Sequence, residues 1–190
     1  HPLGEYMQRI YRDDWSGVAR LMLSSASKLA AIGADFAICP DNTIHQVYDE
    51  VVEASPIPWL HIAEVAGREA WARGYRRLGI TGTRYLMTGP VYPAALARCG
   101  IEHRIPDAPA RDRIDRIIFE ELVNGRFPEA SRLFFNEVIE GLKGEGCDAV
   151  VLGCTEIPLI VDPDDCPLPT LDSTRLLARA ALQEALREDE

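Results

Sequence analysis

The chain has 190 residues, 47% of them hydrophobic and 26% charged, with a formal net charge of −10. That length suits one well-buried domain or two small lobes, and the composition excludes a disordered or fibrous protein. The acidic balance argues against a nucleic-acid partner, which needs a basic face, and no apolar run approaches the roughly 18 residues of a membrane span. The cysteines, Cys39, Cys99, Cys147, Cys154 and Cys166, are odd in number and show neither a CxxC pair nor zinc spacing. Reduced thiols in the cytoplasm fit that usage, each either a core filler or a nucleophile.

In chain order, HPLGEYM reads as the exit of a strand already under way. Residues 13–35 place Val18, Leu21, Leu23, Leu29 and Ala30 at helical spacing and stop at Gly33. DFAIC is a strand, and NTIHQVYDEVVEA a helix carrying Ile44, Val47, Tyr48, Val51 and Val52 in register. IPWLHI is a short strand and AEVAGREAWARGY a helix. RRLGITG is a strand leading into a helix over 83–100 that Gly89 and Pro90 interrupt. IEHRIPD is a short strand, and helices follow over 111–125 and 127–146. CDAVVLGC is the most apolar strand, TEIPLIV a brief helix or turn, PLPTLD a last strand, and 173–188 a closing helix. This alternation predicts an α/β class with mostly parallel sheets.

In such sheets, ligands bind at the carboxyl ends of strands, where the following helices begin. CPDNT, residues 39–43, closes one strand, and GCTE, residues 153–156, closes another more than a hundred residues later. Each feeds a helix N-terminus, whose free N–H groups attract a carboxylate. Taken alone, Asn42 and Thr43 are good helix-capping residues, and Cys154 is a thiol at a strand end. Their shared topological position makes both stretches candidates for one site. His45, one turn into its helix, is either a packing residue or a neighbour of that site.

At this point the chain resembles the aspartate/glutamate racemase superfamily. CDAVVLGCTEIPLIV is similar to the second-lobe signature, a buried strand ending in Gly-Cys-Thr-Glu. NTIH at 42–45 is similar to the first-lobe signature, in which a catalytic residue, usually cysteine, precedes Asn-Thr-x-His. LGITGT at 78–83 resembles the opening of the second lobe and LDST at 171–174 the return to the first. Two features depart from the pattern. Asp41 stands where most such enzymes have cysteine, with Cys39 two positions earlier across Pro40. The family also opens with a strand, a glycine-rich turn and a helix that nothing before Leu3 supplies, so roughly 30 or more preceding residues are expected.

The resemblance implies two similar α/β lobes, each a mostly parallel sheet flanked by helices, with the active site in the cleft between them. Residues 1–76 plus 170–190 would form the first lobe and 77–169 the second. It also implies amino-acid racemisation of the aspartate/glutamate type without pyridoxal phosphate or metal, and a homodimer. In that chemistry one group removes the α-proton from one face and a second returns a proton to the other. Cys154 and Asp41 are the expected catalytic pair, with Cys39 turned away because the chain bends at Pro40. Asn42, Thr43, Thr83 and Thr155 would hold the substrate carboxylate and the enolate-like charge that grows on it. Glu156 joins the substrate-binding set through its place in the same signature. A one-cysteine decarboxylase or isomerase of the superfamily, like the arylmalonate decarboxylases, and a silent carboxylate-binding protein are the competing readings. A substrate side-chain carboxylate would need a basic partner; Arg84, Arg104 and Arg113 are candidates that spacing cannot place. The apolar face of RIIFEELV suits either a core or a dimer.

Overall fold

The computed structural model describes residues 1–187, and the expected last helical residue, Glu188, lies outside them. The chain opens with α1 (Leu3–Ile10), α2 (Trp15–Ala31), β1 (Ala37–Ile38), a 3-10 turn (Thr43–Val47), α3 (Tyr48–Ala54) and β2 (Trp59–Leu60). Asp14 caps α2 by accepting from the Gly17 N–H at 2.9 Å. The helix ends as the sequence predicts. Gly33 adopts a positive φ of 85°, and Gly33 and Ala34 donate back to the carbonyls of Ala30 and Leu29, the hydrogen-bond pair of a glycine-terminated helix.

The opening residues differ from expectation, because HPLGEYM enters α1 rather than leaving a strand. Tyr6, Met7 and Ile10 fall at helical spacing and pack on the small core of Val18, Met22, Ile44 and Val51. An extended run would place only alternate residues of this segment against that core.

The remaining elements are α4 (Ile62–Ala72), β3 (Arg77–Thr81), α5 (Arg84–Thr88), α6 (Val91–Arg98), β4 (Glu102–Arg104), α7 (Ala108–Arg116), α8 (Glu129–Gly144), β5 (Ala149–Leu152), β6 (Thr170–Asp172) and α9 (Ser173–Ala185). A π turn (Ile117–Glu121) and a 3-10 turn (Leu122–Asn124) extend α7, and Ile157–Leu159 is a further 3-10 turn. Strands pair in parallel in the order β4-β3-β5-β6, while β1 and β2 form a separate parallel pair. Strand β5 is buried on both faces, as its uninterrupted apolar run predicts. Its side chains alternate between two cores. Ala149 and Val151 join one with α4, α6 and α9; Val150 and Leu152 join the other with the π turn and α8.

Residues 170–172 form the edge strand of the four-stranded sheet, with Leu171 opposite Val151. Leu176 and Leu177 of α9 share a core with Leu78, Ile80 and α4. Burial of these side chains seats the C-terminal helix chiefly against α4, over the larger sheet. The RIIFEELV stretch is likewise a core element, since Ile117, Ile118 and Leu122 are all buried. No helix of the described residues is long and apolar enough to cross a membrane.

Candidate active site

The carboxyl ends of β1, β3 and β5 converge on one cavity of about 290 Å³. Pro40, Asp41, Asn42 and Thr43 reach it from β1, Thr83 and Tyr85 from β3, and Gly153, Cys154, Thr155 and Glu156 from β5. Two glycines allow the β3 and β5 ends to lie this close. A Cβ on Gly82 would sit 3.1 Å from the Gly153 carbonyl oxygen, and one on Gly153 would sit 2.6 Å from that of Thr81. Either contact would force the strands apart. Thr81 fastens the same junction, its hydroxyl donating to the Val151 carbonyl at 2.7 Å and its carbonyl accepting from Gly153 at 2.8 Å.

Asp41 caps the first turn after β1, one carboxylate oxygen accepting from the Ile44 N–H at 3.2 Å. Burial raises its pKa above the ordinary value; the Ile44 and Thr43 N–H groups oppose that rise, and the Glu156 charge adds to it. Cys154 faces the same cavity. Its thiol donates to Glu156 Oε2 at 2.9 Å, and the Thr155 hydroxyl donates to the same oxygen at 2.7 Å. Burial pushes the Cys154 pKa well up, with the Glu156 hydrogen bond and charge next and the Asp41 charge a smaller cause. The thiol therefore rests protonated.

Cys39 does not line this cavity. It packs against the small core, where burial, and secondly the Asp41 charge, push its pKa up to about 12. Asp41, not Cys39, shares the cavity with Cys154.

The threonines bridge the lobes, the hydroxyls of Thr43 and Thr83 lying 3.1 Å apart. Thr83 also caps α5 by accepting from Leu86 N–H. Asn42 is 3% exposed, and its amide is largely committed to holding the site together. Its Oδ1 accepts from the Tyr92 hydroxyl at 2.8 Å, and its Nδ2 donates to Ser173 Oγ at 3.0 Å. Ser173 in turn donates to the Leu152 carbonyl at the end of β5. One Nδ2 hydrogen is left for a ligand. Sequence reasoning missed Tyr92 altogether; Ser173 lies in LDST, where only the motif hinted at a role. Asn42→Ala should cost about 2 kcal/mol by leaving the buried Tyr92 hydroxyl without an acceptor, read as a lowered urea midpoint at unchanged m-value.

His45 lies just outside this cavity. It donates from Nδ1 to the Asp41 carbonyl at 2.7 Å and packs edge-on to His61 at 4.9 Å. Burial, and secondly the neighbouring His61, hold its pKa down to about 4, so the ring is neutral. The three candidate arginines are placed elsewhere too. Arg84 lies over the Tyr85 ring at 5.7 Å and pairs with Asp112 at 3.9 Å; Arg113 stacks on Phe134 at 3.8 Å; Arg104 donates to the His103 carbonyl. The rest of the lining, unforeseen from sequence, is mostly apolar and comes from α1, Tyr6 included, and from the π turn and the 3-10 turn beyond it.

Comparison with known proteins identifies the family. The family model for Asp/Glu/hydantoin racemases matches residues 4–181. The broad specificity amino-acid racemase RacX of Bacillus subtilis (strain 168) is 22% identical over 176 residues, covering 91% of this chain and 74% of that protein. A candidate Asp/Glu racemase from Yersinia pestis superposes with a TM-score of 0.90 at 35% identity, over 98% of this chain and 82% of the other. An aspartate racemase homologue from Pyrococcus horikoshii gives 0.83 at 27% identity, over 95% and 80%. On the family match over residues 4–181 and the superposition on racemase structures, the chain belongs to the Asp/Glu/hydantoin racemase family and is an isomerase of that kind.

Proposed function

We propose that the protein inverts the α-carbon of an amino acid by two-base proton transfer, without a cofactor, using Asp41 and Cys154. The observation that carries this reading is the meeting of these two proton-binding groups, from strand ends of different sheets, on one cavity. In the resting pair Asp41 is a carboxylate and Cys154 a thiol. Asp41 takes the α-proton from one face as Cys154 delivers its own proton to the other, leaving a carboxylic acid and a thiolate. The opposite enantiomer reacts with that pair in reverse, so protons balance over the two directions.

Negative charge grows on the substrate carboxylate during the transfer, and stabilisation requires donors already in place. Thr43, Thr83 and the spare Asn42 hydrogen supply them. In this reading Glu156, with its second oxygen uncommitted by the Cys154 and Thr155 bonds, takes the substrate ammonium. A pyridoxal Schiff base needs a lysine, and neither Lys28 on α2 nor Lys143 on α8, both exposed and away from the cavity, could supply it.

Deuterium wash-in at the α-carbon, across acidic and neutral amino acids in buffer free of pyridoxal phosphate, tests the reading. Exchange accompanied by loss of optical activity is expected. Carbon dioxide release without inversion would favour a one-cysteine decarboxylase, and binding without exchange a silent carboxylate-binding protein.

A further inference from the structure

We infer that this site takes amino acids with neutral, apolar side chains and rejects aspartate and glutamate, an inference that rests on the racemase reading of the cavity. The cavity has a polar end and an apolar end. At the polar end, Asp41, Glu156, the threonines and Cys154 surround the place where an ammonium, a carboxylate and an α-carbon would sit. Leu3, Tyr6, Met7 and Ile10 of α1 and Ile118, Phe119 and Val123 from the π turn and the 3-10 turn beyond it supply a mostly apolar wall for a side chain.

No lysine, arginine or histidine lines the cavity among the described residues. Arg84 and Arg9, each next to a lining residue, are engaged elsewhere, Arg84 with the Tyr85 face and Asp112 and Arg9 with Asp14 at 2.7 Å, and His45 is neutral and opens on a different, smaller cavity. A zwitterionic head group brings no net charge into this space. A side-chain carboxylate would bring one more negative charge beside Asp41 and Glu156, stripped of water and with no cation to pair it. An aliphatic or aromatic side chain instead covers apolar wall and is favoured by its own desolvation. The volume is at the lower end of the range for small-molecule sites, roughly 300 to 1,000 Å³, and fits one free amino acid.

The experiment compares kcat/KM for α-proton exchange of leucine, methionine and phenylalanine with aspartate and glutamate, each as pure enantiomers. Calorimetric binding of the same set runs in parallel. Neutral substrates should lead by about a hundredfold, the scale of rejecting an unpaired buried charge. Acidic substrates turning over as well or better would overturn the substrate class while leaving the racemase reading intact. Were nothing exchanged, the racemase reading would fail, and calorimetry would still decide the class. Binding of neutral amino acids alone supports it; binding of acidic ones, or of neither, overturns it. Met7→Lys supplies a second readout by placing a cation on the apolar wall. It should raise the acidic-to-neutral ratio at least about tenfold by pairing the extra charge. An unchanged ratio would show that the missing cation does not set selectivity.

Discussion

Cys154→Ala is expected to lower α-proton exchange by about 10³-fold or more, the scale of losing a positioned acid or base, while leaving the fold intact. The thiol sits at the end of β5, half-buried, and its single hydrogen bond goes to Glu156. Alanine removes that bond, but Glu156 keeps the Thr155 hydroxyl as a donor. The stability cost should stay within about 1 kcal/mol, or a Tm shift of about 2–4 °C for a chain of this size. Wash-in rates and a melting curve on the same preparation make the measurement. Retained turnover would remove Cys154 from the chemistry. A melting point lowered by ten degrees or more would mark it as a packing thiol instead.

The second large effect concerns Asp41 and the direction of reaction. Asp41→Asn keeps an oxygen to accept from the Ile44 N–H and so preserves the cap, but it cannot take a proton. Exchange should fall about 10²- to 10⁴-fold with little change in stability. Unperturbed, a thiol and a carboxylate differ widely, near 8.5 against 3.9. Here burial raises both groups, the Glu156 hydrogen bond and charge raise Cys154 further, and two backbone N–H groups restrain Asp41. The two half-reactions therefore use bases of unequal strength. Equilibrium between enantiomers is unity, so kcat/KM must match in the two directions, yet kcat itself is free to differ with KM compensating. One enantiomer should turn over severalfold faster than the other at saturation. Where Asp41 is the base, the rate should be lost as pH falls through its folded pKa, which lies above the ordinary carboxylate value. Asp41→Cys should bring the two kcat values together and move that acid limb upward. Initial rates from each pure enantiomer, across pH, provide the check. Equal rates in the parent, or an Asp41→Cys protein that is dead rather than balanced, would show that Asp41 is not the partner base.

Much of this was legible in the residues because it depends on local pattern. The apolar run of β5, the glycine stop after α2 and the break at Gly89 and Pro90 each follow from burial or backbone conformation within a few positions. The strand-end placement of Asp41 and Cys154 follows from the alternation of strands and helices, since parallel sheets present all such ends on one side. The resemblance joined two motifs that spacing alone could not connect.

What only the tertiary structure decided are long-range choices among partners of similar local quality. Strand β6 pairs with β5, and Leu171, Leu176 and Leu177 find their burial in the core shared by the larger sheet and α4. The opening residues coil into α1 because a helix brings Tyr6, Met7 and Ile10 onto one face, and that face is buried against the small core. Asn42 reads as a cap in sequence, yet its amide is spent on Tyr92 and Ser173, 50 and 131 positions away. The arginines that composition offered as substrate partners went to Tyr85, Phe134 and a backbone carbonyl. Each of these outcomes is set by which surfaces are buried together, and a side chain's distant neighbours are not written in the residues beside it.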